Sequence, residues 1–157
     1  MRHIIVDTNL LVLFAVGLTD RSLIEKHKRL KEYEEADFDL LAKVLKGFDQ
    51  ILVTPHILTE TCNLISQTNE RTNSSIMKKL AILLGEIKEE FQQSVEVAKH
   101  DHFPRLGLTD CAILELLTEG IHLITVDAAL YLEAFRKSPS CVVNFNHLRQ
   151  NRLLGLT

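Results

Sequence analysis

The chain has 157 residues, 46% of them hydrophobic and 25% charged. These are globular proportions; they exclude a collagenous, low-complexity or disordered chain and suit one domain that buries roughly 70% of its unfolded surface. With 18 Lys and Arg against 21 Asp and Glu, the formal net charge is −3, so the whole molecule is no polycation for nucleic acid, though a local basic patch stays open.

His3 to Val6 is short and rich in branched residues and reads as a buried strand, followed by an apolar helix over Asn9 to Val16. The charged stretch from Thr19 to Glu35 places Leu23, Ile24, His27, Leu30 and Tyr33 at helical spacing, which predicts a helix with one apolar stripe. Asp37 reads as the N-cap of the next helix, with Phe38, Leu41, Val44, Leu45 and Phe48 facing inward. Ile51 to Val53 is a second strand. Thr54 caps and Pro55 opens the helix that follows. Thr68 to Ser74 is a polar turn and Ser75 to Phe91 a strong helix. Ser94 to Ala98 reads as a short strand and Lys99 to Leu106 as a loop. Thr109 can cap a helix that Gly120 closes, with Leu108 stapled onto Ile113. Ile121 to Thr125 is a strand, Ala128 to Arg136 a helix, and Cys141 to Val143 the last strand.

Strands alternate with helices and none stands in a run of its own. This predicts an α/β fold in one domain over residues 1–157: a three-layer α/β/α sandwich around a mostly parallel sheet of about five short strands. The three cysteines, Cys62, Cys111 and Cys141, are odd in number and widely spaced. A disulfide framework or thiolate zinc site is not expected, and reduced thiols in a cytoplasmic setting are the default. The apolar run after Met1-Arg2-His3 is broken by Asp7, a poor signal peptide, and the longest apolar stretch, Leu10 to Leu18, is too short to span a bilayer.

In an open parallel sheet, function gathers at the carboxyl ends of the strands. Asp7 follows the first strand, Glu60 lies in the second turn of the helix after the second, Asp127 follows the fourth, and Asp110 opens the helix leading into it. Each has a plain reading as a turn former, a cap or an exposed helix position. Capping needs Ser, Thr or Asn as readily as Asp, so it does not explain an acid at all four places. Crowded carboxylates raise one another's pKa values, and a hard cation such as Mg²⁺ or Mn²⁺ relieves them. Such an ion can activate water against a phosphodiester.

The stretches Val6-Asp7-Thr8-Asn9, Thr54-Pro55-His56-Ile57-Leu58-Thr59-Glu60, Leu108-Thr109-Asp110-Cys111-Ala112-Ile113-Leu114 and Leu123-Ile124-Thr125-Val126-Asp127 resemble the four motifs of PIN domains. The ending Val142-Val143-Asn144-Phe145-Asn146 does so too. The resemblance runs through nearly the whole chain in the right order. It implies a metal-dependent nuclease cutting single-stranded RNA, with Asp7, Glu60, Asp110 and Asp127 as catalytic and metal-binding acids and Asn9 and Thr125 in support. Many PIN domains are toxins of toxin–antitoxin pairs, which implies an antitoxin partner; a homodimer is a further expectation and a membrane is not. The charged segment at residues 19–37 is longer than compact toxins carry. The alternative is a catalytically silent PIN-fold module that binds RNA or protein within a larger complex.

Other sites carry less. His100-Asp101-His102 has ligand-like spacing, but a solvated turn is the plainer reading. Cys62 and Cys111 have apolar neighbours and read as core. No GxSxG, GxGxxG or GxxxxGK[ST] is present. A haloacid-dehalogenase-like phosphatase would carry an acid at Asn9, and a receiver domain a Lys where Asn144-Phe145-Asn146 stands. After Glu133 the chain has no further acid, while Arg136, Lys137, Arg149 and Arg152 remain. Arg149 and Arg152 are thereby candidates to hold RNA phosphates, against the reading of a solvated surface or dimer edge.

Overall fold

Ile4, Ile5 and Val6 are fully buried because apolar layers cover both faces of their strand, β1 (His3–Val6). In the computed structural model, which describes residues 1–156, β1 is the middle strand of five. β2 (Gln50–Val53) and β4 (Ile121–Thr125) flank it, with β3 (Lys88–Glu89) beyond β2 and β5 (Val142–Asn144) beyond β4. All four pairings are parallel, and Ile5 sits opposite both Leu52 and Leu123. Parallel strands covered on both faces read as continuous apolar runs, which is why β1, β2 and β4 stand out in the sequence.

The helices are α1 (Thr8–Thr19), α2 (Glu35–Leu45), α3 (Pro55–Ile65), α4 (Glu70–Leu84), α5 (Ser94–Val97), α6 (Phe103–Leu116), α7 (Ala128–Lys137) and α8 (Phe145–Leu153). α1 packs against α2, α3 and α4, and α6 against α5 and α7, giving the expected three-layer α/β/α sandwich. From β1 the chain winds outward through β2 to β3. It then returns across β1 to place β4 and β5 on the other side. The crevice at the carboxyl ends of β1 and β4 is therefore the topological switch point, where open α/β sheets hold ligands.

Several local expectations are corrected. Residues 19–35 form no long helix but two 3₁₀ turns, Arg21–Leu23 and Lys28–Leu30. Asp20 Oδ1 accepts from Ser22 N at 2.9 Å and His27 Nδ1 from Arg29 N at 3.2 Å, so side chains satisfy the backbone in short turns instead. Ile24, His27, Leu30 and Tyr33 are buried all the same, with His27 Nε2 donating to the Ile65 carbonyl at 3.2 Å. Asp37 is not the N-cap of α2 but its third residue, accepting from Glu34 N at 2.9 Å. α4 starts earlier than expected, because Asn69 caps it through Thr72 N, and stops at Gly85. The third strand is Lys88–Glu89, both exposed, not Ser94–Ala98. A strand would put Val95 and Val97 on one face; in α5, Val97 is buried and Val95 is 63% exposed.

Phe103 to Leu106, expected as loop, is a helical turn running into α6 through a kink at Gly107, where φ is +80° and ψ −172°. Only glycine adopts that backbone readily. The kink separates the first turn of α6 from the helix that carries Asp110. Among the described residues no helix is long and apolar enough to cross a membrane. Cys62, Cys111 and Cys141 are all unpaired.

Candidate active site

The β1–α1 and β4–α7 junctions, the second turn of α3 and the start of α6 beyond its kink deliver the four acids to one cleft of about 310 Å³, lined also by Thr8, Asn9, Gly107 and Thr109. Asp7 is the N-cap of α1, and its own N–H still donates to the Ile124 carbonyl at 3.2 Å, which ties it to β4. Its Oδ1 accepts from Thr8 N at 2.7 Å and its Oδ2 from the Thr125 hydroxyl at 2.6 Å. Thr125 in turn accepts from Asp127 N at 3.0 Å, so one buried hydroxyl sets two acids relative to each other. Asp127 caps α7 through a 2.8 Å bond from Leu130 N to its Oδ1. Its capping and cleft positions are thus compatible: one oxygen takes the helix N–H and the residue lines the cleft.

Glu60 projects from the second turn of α3. Its Oε1 accepts from the Thr109 hydroxyl at 2.6 Å and its Oε2 from the Thr8 hydroxyl at 3.3 Å. From the sequence Thr109 reads only as a helix cap, and Thr8 is given no role. Their only signal is position, each being adjacent to an acid, in Asp7-Thr8 and Thr109-Asp110, where a threonine reads equally as a capping residue. Thr109 spends its hydroxyl on Glu60.

Asp110 differs from the other three. No hydrogen bond reaches its carboxylate among the described residues, and its carboxyl is pushed up to about 7. Burial is the main cause, followed by repulsion from Asp7, Asp127 and Glu60. Asp7 is also raised, by burial first; the Thr125 and Thr8 hydrogen bonds pull it back, and Asp127 and Glu60 push it up again. The four acids line the same cleft, close enough to raise one another's pKa values. Asn9 lies exposed at the cleft rim.

The donor set fits a hard divalent cation. It is all oxygen, it contains no Lys or Arg, and Asp110 has no other partner. The acids line the cleft without closing on one point: among the described residues no three His, Cys, Asp or Glu side chains form a metal-binding group. A larger cleft of about 580 Å³ between α1 and α2 is mostly apolar and holds one carboxylate, Asp39, already paired with Arg21 at 2.6 Å. Volume therefore does not mark the chemistry here.

The remaining candidates have other occupations. Arg149 Nε and Arg152 Nη2 donate to Asp37 Oδ1 at 3.1 and 2.9 Å, and Asp37 is buried. Arg149 also covers the Tyr33 ring, with 4.7 Å from its guanidinium carbon to the ring centroid. Neither arginine lines the acidic cleft; their charge is used to hold α8 on α2. His102 faces Glu133 at 3.2 Å and His100 faces Glu115 at 3.9 Å. Comparison with family models, with curated proteins and with solved structures gave no match.

Proposed function

We propose that the cleft is the active centre of a metal-dependent endoribonuclease of the PIN type, cutting single-stranded RNA with an activated water. The observation that carries this reading is Asp110: a carboxylate without a hydrogen-bond partner, raised to about 7 by burial and by three acids from other elements of the fold. Four unneutralised acids crowded in one cleft are costly to a fold, and a divalent cation is the partner that removes the cost.

Asp7, Asp110 and Asp127 would hold Mg²⁺ or Mn²⁺. Bound there, the ion would supply a more acidic water and stabilise charge on the phosphoryl and leaving 3′ oxygens. Glu60, fixed through both oxygens by Thr109 and Thr8, would hold a second ion or orient the attacking water and take its proton. Thr125 positions Asp7 and Asp127, and Asn9 stands at the rim where substrate enters. Unpaired cysteines fit a reducing, cytoplasmic setting. A small DNA-binding protein encoded beside this chain would extend the reading to a toxin and its antitoxin.

The test is cleavage of a mixed RNA pool with Mn²⁺, comparing wild type with Asp7→Asn and Asp110→Asn. Loss of cleavage in both variants is expected; equal activity in all three overturns the reading. A silent RNA- or protein-binding module is the second reading, favoured by the absence, among the described residues, of three acids closing on one point. RNA binding with no metal-dependent cleavage by wild type would select it.

A further inference from the structure

Glu133 lies on α7 with 8% of its surface exposed, and three groups converge on it. Arg105 Nη2 donates to its Oε1 at 2.7 Å, Arg136 Nη1 to the same oxygen at 2.9 Å, and His102 Nε2 faces Oε2 at 3.2 Å. Arg105 Nη2 also lies 3.5 Å from His102 Nδ1. Burial pushes the Glu133 carboxyl up, but His102, Arg136 and Arg105 together outweigh it and hold it below the ordinary value. The carboxylate stays charged and braces two guanidiniums from two different helices.

One acid cannot neutralise two arginines, so the cluster keeps a net positive charge. Each guanidinium has five N–H donors and gives Glu133 only part of its fork. The Arg105 and Arg136 side chains remain 51% and 64% exposed. Arg149 and Arg152 contrast with them: they serve a buried acid and are only 21% and 25% exposed.

The cluster is tied to the acidic cleft twice. Arg105 directly precedes Leu106, Gly107 and Leu108, which line the cleft. Arg136 stands on the helix that Asp127 caps, about 13 Å along at ~1.5 Å per residue. No Lys or Arg lines the cleft itself, and its acids repel a polyanion over about a Debye length, ~8 Å in physiological salt. Cations placed just outside that range are where a phosphate chain can be held while one of its bonds lies among the acids.

We propose that Arg105 and Arg136, braced by Glu133 and His102, form the surface that carries the phosphodiester backbone of a single-stranded nucleic acid past the acidic cleft. The proposal rests on the nuclease reading of that cleft. The contact is to phosphate, so it selects no base.

The test is binding of a labelled single-stranded RNA of about 12 nucleotides, and of DNA of the same sequence, to the full chain without added metal across a salt series. Arg105→Ala with Arg136→Ala should weaken binding about tenfold at low salt and lower the slope of log K against log salt by roughly one to two. Arg105→Lys with Arg136→Lys should keep most of that slope. The triple variant Arg105→Gln, Glu133→Gln, Arg136→Gln leaves no unpaired carboxylate; it should melt near wild type and bind as weakly as the alanine pair. Unchanged affinity and slope in the alanine and glutamine variants would overturn the proposal, as would no measurable binding by wild type or a loss confined to one of the two sugars. Arginine-dependent binding by a protein that never cleaves would keep this surface and remove the nuclease reading. Metal-dependent cleavage with unchanged KM in the variants would do the reverse.

Discussion

The Thr125 hydroxyl donates a 2.6 Å hydrogen bond to Asp7 Oδ2 across 118 positions of sequence. It joins the ends of β4 and β1 at the point where the sheet changes its winding direction. Both residues are buried, and the same oxygen accepts from Asp127 N at 3.0 Å. Thr125→Val keeps the shape and removes both contacts. A hydrogen bond to a charged group is worth about 1.5–3 kcal/mol, and urea melts at pH 8 should lose that much. Thr125 lowers the Asp7 pKa, so its loss raises it further. The destabilisation should therefore shrink as the pH is lowered and Asp7 takes up its proton; an equal loss at pH 8 and pH 4 would show that only packing was removed.

Asp110 predicts a stability that falls with rising pH in the metal-free protein. Its carboxyl titrates near 3.8 unfolded and about 7 folded. Below the unfolded value both states are protonated and nothing is lost. Between the two values the unfolded chain releases its proton first, so stability falls, and above about 7 the penalty is complete. About three pH units at ~1.4 kcal/mol each set a ceiling of about 4 kcal/mol, which relaxation of the cleft will reduce. Asp110→Asn should melt several degrees above wild type at pH 8 and level with it at pH 4. A variant that melts lower at pH 8 would place Asp110 in an ordinary stabilising first-turn position.

Mn²⁺ should raise the melting temperature of wild type, since ligand at about 100 times its Kd adds ~2.7 kcal/mol to the folded state. Most of that gain should vanish in Asp110→Asn. Because Asp110 is about half protonated near pH 7, the ion should displace a proton there and bind more tightly at pH 8 than at pH 6. Calorimetric titration in two buffers of different ionisation heat measures the released proton directly. A wild type indifferent to Mn²⁺ at both pH values would defeat the metal centre.

Asp37 predicts a different kind of loss. It is buried and accepts from Arg149, Arg152 and Glu34 N. Removing one partner of a buried ion pair costs about 3–5 kcal/mol, so Asp37→Ala should unfold at much lower urea and release α8. Arg149→Ala should cost less, because Arg152 still serves Asp37. Neither change should alter the salt slope of nucleic-acid binding by the folded fraction. A reduced slope would return these arginines to the phosphate-binding role expected from sequence.

The sheet was legible where burial on both faces imposes unbroken apolar runs, as at His3–Val6 and Ile121–Thr125. β3 was not, because Lys88 and Glu89 form a two-residue edge strand whose pairing is made by backbone alone. Residues 19–35 misled because apolar spacing records which side chains are buried, whereas Asp20 and His27 decide how the backbone turns. The four acids could be placed at one rim, since a parallel sheet puts the carboxyl ends of its strands and the start of each helix leading into the next strand on the same edge. The hydroxyls on Glu60 and the two arginines on Asp37 could not be seen. They depend on contacts across 49 to 115 positions, and a local pattern carries no trace of such partners.

The winding of the sheet, outward through β2 and β3 and then back across β1, also sets a schedule. Asp7 and Glu60 belong to the part of the chain made before the return, Asp110 to the crossing itself, in α6, and Asp127 to the part made after it. At roughly 5–20 residues per second of synthesis, the 118 positions between Asp7 and Thr125 separate the two by about 6–24 s. Until Thr125 is made, Asp7 has the local bond from Thr8 N but not the hydroxyl that fixes its second oxygen. The order in which the ribosome delivers these residues means that the four acids cannot meet before Asp127 has been made.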